Sequence, residues 1–289
     1  MHYSPLRYPG GKSKLTPFME LLIKELNIKN GTYIEPFAGG AGIALELLHK
    51  NVVNKIIIND YDKAIASFWK SVVYENERFI EKMYTTPVTI EEWHRQKEIL
   101  KRANKYSFEL GFATFFLNRT NRSGIINGGP IGGYKQDGKW KIDVRFNKEK
   151  LAKRIYTIGK MKNNIIIYNK DFKSFMRYYL PKYIDNAFIY FDPPYFKKGK
   201  ELYMNYFTEQ DHKEIECIVR DNMKCKWIIT YDVEPEILKL YSNYVIKRFD
   251  LNYSVAKKRI ASELMIFPHY MNCPNNEMLK QNNIHINFR

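Results

Sequence analysis

The chain has 289 residues, 45% hydrophobic and 15% aromatic, enough for one large packed domain or one domain carrying an insertion, and outside the composition of disordered chains. No run reaches the roughly 18 uninterrupted apolar residues of a membrane span, and the opening MHYSPLRYPGGKSK lacks an apolar secretory region, so a cytoplasmic protein with no membrane partner is expected. The net charge of +16 attracts polyanions because each neutralised phosphate releases a condensed counterion; nucleic acid is one reading of it, a lysine-, asparagine- and isoleucine-biased composition another.

Taken in chain order, the first element is Tyr8-Pro9-Gly10-Gly11-Lys12-Ser13. Gly-Lys-Ser invites a phosphate-loop reading, but that motif needs glycine five residues before Gly11, where Leu6 stands. A helix is predicted over 14–26, then a buried strand around 33–34 that runs into Glu35-Pro36-Phe37-Ala38-Gly39-Gly40-Ala41-Gly42 and a helix over 43–49. A strand, a glycine-rich bend and a helix let a cofactor approach the backbone closely, a device that dinucleotide-binding folds share. The next strand, 55–58, ends at Asn59-Asp60; Asp60 is suited to accept hydrogen bonds from ribose hydroxyls, or is an ordinary strand-end cap. A helix over 63–74 follows.

From about 75 to 150 the rhythm breaks. A polar helix over 90–106 precedes a stretch with six of the fifteen glycines between Gly124 and Gly138. Residues 118–154 hold ten Lys or Arg against three acidic residues, with Tyr134 and Trp140 interleaved. This pattern predicts a hairpin and loops able to enter a DNA groove, the plainer alternative being a solvated surface loop. Strands over 165–168, 187–191, 226–230 and 263–267 alternate with helices over 172–180 and 211–223, so the whole reads as a doubly wound, Rossmann-like α/β fold. The catalytic domain is expected over 1–74 and 151–271, an inserted, mostly helical target-recognition domain with a hairpin over 75–150, and a polar, peripheral or mobile extension over 272–289. Cys217, Cys225 and Cys273 form no C-x-x-C pair, and the six histidines no ligand or triad spacing, so no metal is expected.

The sharpest signal is Asp192-Pro193-Pro194-Tyr195, directly after an apolar strand, where parallel sheets bind ligands. An adenine amine is a poor nucleophile because its lone pair is delocalised into the ring, and holding the nitrogen nearly tetrahedral requires two acceptors. The Asp192 carboxylate can accept one N–H and the Pro193 carbonyl, stiffened by Pro194, the other. Tyr195 offers a flat face for an extruded base.

Together these motifs resemble the Dam-like family of DNA adenine methyltransferases, in which the cofactor motif precedes the target-recognition region and the Asp-Pro-Pro-Tyr motif comes last. The resemblance implies S-adenosylmethionine as methyl donor, S-adenosylhomocysteine as product and no metal. It implies that Tyr8, Gly11 and Lys12 enclose the methionine end and the catalytic pocket. Glu35, Phe37, Ala38, Gly39 and Gly40 would line the cofactor, Asp60 its ribose and Asp171-Phe172 its adenine, with Asp192 bordering it. Arg119, Asn121, Arg122, Ser123, Tyr134 and Lys139 are candidate contacts to double-stranded DNA, arginine suiting guanine and asparagine adenine, while lysines grip phosphates. A cognate restriction endonuclease and a monomer or weak dimer are consistent with it. The rivals are a methyltransferase acting on RNA or protein amines, and a catalytically silent DNA-binding homologue.

Overall fold

The computed structural model describes residues 3–7, 11–197, 207–222, 225–255 and 257–289. Four short segments, β1 (Thr32–Glu35), β2 (Lys55–Asn59), β3 (Ile165–Tyr168) and β4 (Ala187–Phe191), are rich in isoleucine and aromatic residues, which suit a pleat covered on both faces. With β5 (Lys226–Asp232), β6 (Val245–Val255) and β7 (Lys257–Phe267) they form one seven-stranded sheet in the order β3-β2-β1-β4-β5-β7-β6. β1 runs parallel to β2 and β4, β2 to β3 and β4 to β5, whereas β7 lies antiparallel to β5 and β6. The expected doubly wound α/β class is therefore present. The one strand that the apolar runs miss is β6, whose polar residues interrupt any continuous run.

Successive strand residues face opposite ways. Tyr33, Ile56, Ile58 and Phe188 enter one core, and Ile34, Ile57 and Ile189 enter the other. The first core holds α1 (Thr16–Glu25), α2 (Gly42–His49) and α3 (Lys63–Tyr74) against the sheet. The loops that leave β1 and β4 diverge because the strand order reverses between them, and a crevice opens at their carboxyl ends. Glu35 ends β1 and Asp192 follows β4, so topology alone brings both acidic positions to that crevice.

The insertion builds α4 (Asn76–Thr85), α5 (Ile90–Arg102) and α6 (Phe108–Thr120), and α7 (Lys148–Lys160) leads back to the sheet. α5 starts on a capping pattern in which the Thr89 hydroxyl accepts the Glu92 N–H at 3.2 Å, with Lys101 and Arg102 closing its last turn. α6 eludes a periodicity argument because it is apolar on every side and buried almost throughout. At Gly111 it crosses α3 so closely that a Cβ would lie 2.5 Å from the Ser67 carbonyl oxygen. The rings of Phe79 and Phe115 meet at 5.3 Å and those of Phe68 and Phe115 at 6.1 Å. At about 1.5–3 kcal/mol per fully buried large apolar side chain, this aromatic cluster fastens the insertion to the helical layer of the sheet.

Two expectations are corrected. Residues 121–147 are turns around a single isolated bridge between Asn121 and Pro130, not a hairpin. Gly124, Gly132 and Gly133 take φ of 76°, 85° and 78° there, and Pro130 lacks an N–H for a ladder. The tail over 272–289 is not peripheral either. Leu279, Ile284, Ile286 and Phe288 are buried, Phe288 meets Phe18 of α1 edge-on at 5.7 Å, and Arg289 exchanges backbone hydrogen bonds of 2.9 and 3.1 Å with Arg248 of β6. The alternation Ile284-His285-Ile286-Asn287-Phe288 carries that signal beneath the polar composition. No helix among the described residues is long and apolar enough to cross a membrane.

Candidate active site

Three loops at the carboxyl edge of the sheet are tied together by Asn59. Its amide donates to the Pro36 and Lys170 carbonyls at 3.0 and 3.1 Å, and its side-chain oxygen accepts the Lys170 N–H at 3.0 Å. The glycine bend is held from both sides. The Gly39 N–H donates to Asp60 Oδ2 at 2.8 Å, and the Gly39 carbonyl accepts the Trp69 indole N–H at 2.9 Å. Gly39 and Ala41 adopt φ of 45° and 43°, which turns the chain sharply into α2. At Gly42 a Cβ would fall 2.3 Å from Ser13 Oγ, so the bend packs directly on the segment that follows Lys12.

Two buried carboxyls line this bend. Glu35 accepts the Ala44 N–H at 3.2 Å in the first turn of α2, yet burial pushes its pKa up to about 8. Asp60 accepts N–H groups from Gly39 and Asp62 at 2.8 and 2.9 Å, and burial, with the neighbouring Asp62 charge, pushes it up to about 7. Among the described residues no cation stands beside either carboxyl. Each carboxylate oxygen retains lone pairs for a further donor. Phe37 stacks on Phe172 at 5.0 Å and 15°, and Phe207 meets Phe37 edge-on at 5.6 Å, giving an aromatic wall next to the bend. Asp171 is exposed and caps the turn that follows, accepting the Ser174 N–H at 2.9 Å.

Beyond Asp192 lies a buried polar network. Lys12 Nζ donates to Asp192 Oδ1 at 2.9 Å and to the Tyr195 hydroxyl at 3.2 Å, and lies 3.7 Å from Glu263 Oε2. The Tyr195 hydroxyl in turn donates to Glu263 Oε1 at 2.7 Å. Thr230 Oγ1 of β5 donates to Asp192 Oδ1 at 3.0 Å, and Thr230 shares a 2.8 Å hydrogen bond with Tyr190. Burial alone would pull the Lys12 ammonium down, but Asp192, Glu263 and the two tyrosines hold it well above the ordinary lysine value, so it is cationic. Asp192 keeps 24% of its side chain exposed while Lys12, Tyr190, Tyr195, Thr230 and Glu263 are buried. Pro193 is buried and Pro194 half-buried beside it. Sequence reasoning found Lys12, Asp192 and Tyr195; it missed Thr230 and Glu263. A lone acid heading the apolar run Leu264-Met265-Ile266-Phe267 is the signal that could have drawn attention to Glu263.

The insertion divides into anchors and free side chains. Asn118 accepts the Arg7 N–H at 2.7 Å and donates to the Arg7 and Gly124 carbonyls at 3.2 and 2.8 Å. At Gly124 a Cβ would stand 2.0 Å from the Arg7 carbonyl oxygen, so no other residue fits. Asn121, expected in the groove, is instead fully buried; it accepts the Trp93 indole N–H at 2.6 Å and donates to Ile125 and Ile126, both at 2.8 Å. Arg119 spends its guanidinium on the Arg145 and Pro5 carbonyls, and burial with Arg7, Arg154 and Arg145 nearby pushes its pKa down to about 9. Arg122 and Lys139 are exposed and Ser123, at φ 56°, is half-buried. Tyr134 and Trp140 are each 61% exposed, with Lys139 Nζ 5.5 Å from the Trp140 ring. Tyr8 lies outside the described residues.

Among the described residues no group of three or more His, Cys, Asp or Glu is arranged to hold a metal ion. The family model described as D12 class N6 adenine-specific DNA methyltransferase matches residues 8–255. Type II methyltransferase M.MjaIII of Methanocaldococcus jannaschii is 28% identical over 280 residues, covering 88% of this chain and 91% of that protein. Type II methyltransferase M1.LlaDCHI of Lactococcus lactis subsp. cremoris is 25% identical over 216 residues, covering 71% and 69%.

Proposed function

The chain belongs to the D12 class of N6 adenine-specific DNA methyltransferases, and on that premise we propose how its residues divide the work. The observation that carries the reading is a lysine-braced carboxylate at the sheet's switch point, one loop away from a glycine bend flanked by two buried carboxyls.

The bend fits S-adenosylmethionine by donor chemistry. Glu35, buried with its pKa near 8, suits the methionine ammonium as the counter-charge it lacks. Asp60 suits ribose hydroxyls, which donate hydrogen bonds, and the Phe37–Phe172 wall suits a purine, with Asp171 at its rim. Gly11, Ala38, Gly39 and Gly40 supply close backbone. When bound, the cofactor supplies a methyl group made electrophilic by its sulfonium.

Asp192 and the Pro193 carbonyl accept the two amine hydrogens of an extruded adenine, and Tyr195 stacks on its ring. Lys12 and Thr230 both donate to Asp192 Oδ1. That fixes the carboxylate in place and leaves its other oxygen to orient the amine. Residues 75–150 form the target-recognition region. Arg122, Tyr134, Lys139 and Trp140 are the side chains free to meet duplex DNA, with Ser123 shaping their loop, while Arg119 and Asn121 hold that loop in place. A cytoplasmic protein, acting as a monomer or weak dimer beside a cognate restriction endonuclease, completes the reading; both relatives carry type II names.

The test is to express the chain in a host lacking adenine methylation and map modified adenines across the genome. A single recurrent sequence is expected, and its loss with Asp192→Ala. Methylation that persists in that variant overturns the role given to Asp192.

A further inference from the structure

We infer that Glu263, on the antiparallel strand β7, is a positioning residue that fixes the ring of Tyr195 through the tyrosine hydroxyl. The inference rests on the reading that Tyr195 is the stacking face for the extruded adenine.

Tyr195 follows two prolines, which stiffen the backbone but leave the torsion of its own side chain open. A ring that must receive a base needs a second point of attachment. Its hydroxyl supplies one, donating at 2.7 Å to Glu263 Oε1 while accepting from Lys12 Nζ at 3.2 Å. Glu263 is well suited to be the fixed end. It is 2% exposed and sits between two paired strands, opposite Asp232 of β5 and Phe249 of β6, so its backbone has little freedom. A carboxylate acceptor makes the bond charge-assisted and roughly twice as strong as one between neutral groups.

Lys12 closes the arrangement from the other side. Its ammonium lies between Asp192 Oδ1 and Glu263 Oε2 and 5.0 Å from the Tyr195 ring centre. One buried cation thus ties the carboxylate that takes the amine to the strand that holds the stacking ring. Nothing in the Asp-Pro-Pro-Tyr motif requires an acid some seventy residues later in the chain. The partnership exists because β7 inserts beside β5, next to the strand that carries the motif.

A plain counter-ion for Lys12 would give a different pattern of variants, so the two roles are separable. The experiment uses full-length Glu263→Ala, Glu263→Gln and Tyr195→Phe, plus Tyr195→Ala as a control. Turnover is read on duplexes with adenine at the methylated position identified by genomic mapping, and base extrusion on duplexes with 2-aminopurine there. If Glu263 positions the ring, Glu263→Ala and Tyr195→Phe each lower kcat roughly 10- to 100-fold, with Kd for S-adenosylhomocysteine changing less than about threefold. Both change the 2-aminopurine fluorescence of the complex alike, the double variant is no worse than the poorer single one, and Glu263→Gln, whose amide oxygen still accepts the hydroxyl, recovers most of the loss. Tyr195→Phe behaving as wild type, or Glu263→Gln failing as completely as Glu263→Ala, overturns the proposal and leaves a charge-balancing role. If instead Tyr195→Ala leaves the fluorescence of the complex unchanged, the stacking reading itself falls.

Discussion

The Asp192 crevice and the glycine-rich loop of the insertion are built on opposite plans. In the crevice, Lys12, Asp192, Tyr195, Thr230 and Glu263 satisfy one another inside the protein. In the loop, Arg122, Tyr134, Lys139 and Trp140 project into solvent, while Asn118, Asn121 and Arg119 are consumed in holding the backbone. On the proposed division of work, chemistry that must work on any target copy is organised before the substrate arrives, and contacts that read a surface are left for that surface to complete.

The largest expected effect follows from the first plan. Asp192→Ala should lower kcat by about 1000-fold or more, because it removes an acceptor aimed at the reacting amine, while calorimetry finds S-adenosylhomocysteine affinity largely kept. Retained turnover would mean that the buried network serves stability and not transfer.

Next comes the cofactor bend. Glu35 and Asp60 titrate near 8 and 7, so in the ligand-free protein both are neutral in mild acid and present no charge to an ammonium. Affinity for S-adenosylhomocysteine should therefore rise as pH climbs from 6 and level off above about 8.5. Glu35→Gln should flatten that profile and weaken binding about tenfold or more. The sign for stability is the reverse. A carboxyl raised on folding favours the fold at low pH, and that contribution is lost as pH rises toward about 8. Glu35→Gln should accordingly raise the ligand-free Tm by ~2–4 °C per kcal/mol recovered, seen above pH 8 and absent near pH 4. A variant that is less stable at both ends would break the assignment.

Smaller effects test the loop. Asn118→Ala frees both the Arg7 segment and the Gly124 turn, and should cost about 1–3 kcal/mol in denaturant unfolding because buried backbone groups lose their partners. DNA affinity should fall with it. Lys139→Ala and Arg122→Ala should leave Tm unchanged and weaken DNA binding a few-fold; if Lys139 meets a phosphate, the slope of log affinity against log salt should shrink by about one. An Arg122→Ala loss confined to one base of the recognised sequence would mark that residue as a reader.

Much of the crevice was legible because its residues are neighbours in sequence. Pro36 through Ala41 and Asp192 through Tyr195 each occupy one loop, and each loop follows an apolar strand that announces itself. Glu263 was not legible, since its role comes from strand order, which a linear pattern does not encode. α6 escaped because a helix buried on all sides has no polar face to set a period. Asn121 misled for the opposite reason. An asparagine beside two arginines in a basic stretch looks like a base reader, and only the packing of Trp93 onto it shows that its amide is already spoken for.

The tail has a practical consequence for anyone handling this enzyme. Phe288 leans on Phe18 in the helix that starts just after Lys12, and Arg289 is hydrogen-bonded into the sheet through Arg248. Losing the Phe288 ring or the backbone hydrogen bonds of Arg289 would loosen the wedge behind the first helix and so disturb a segment at the opposite end of the sequence.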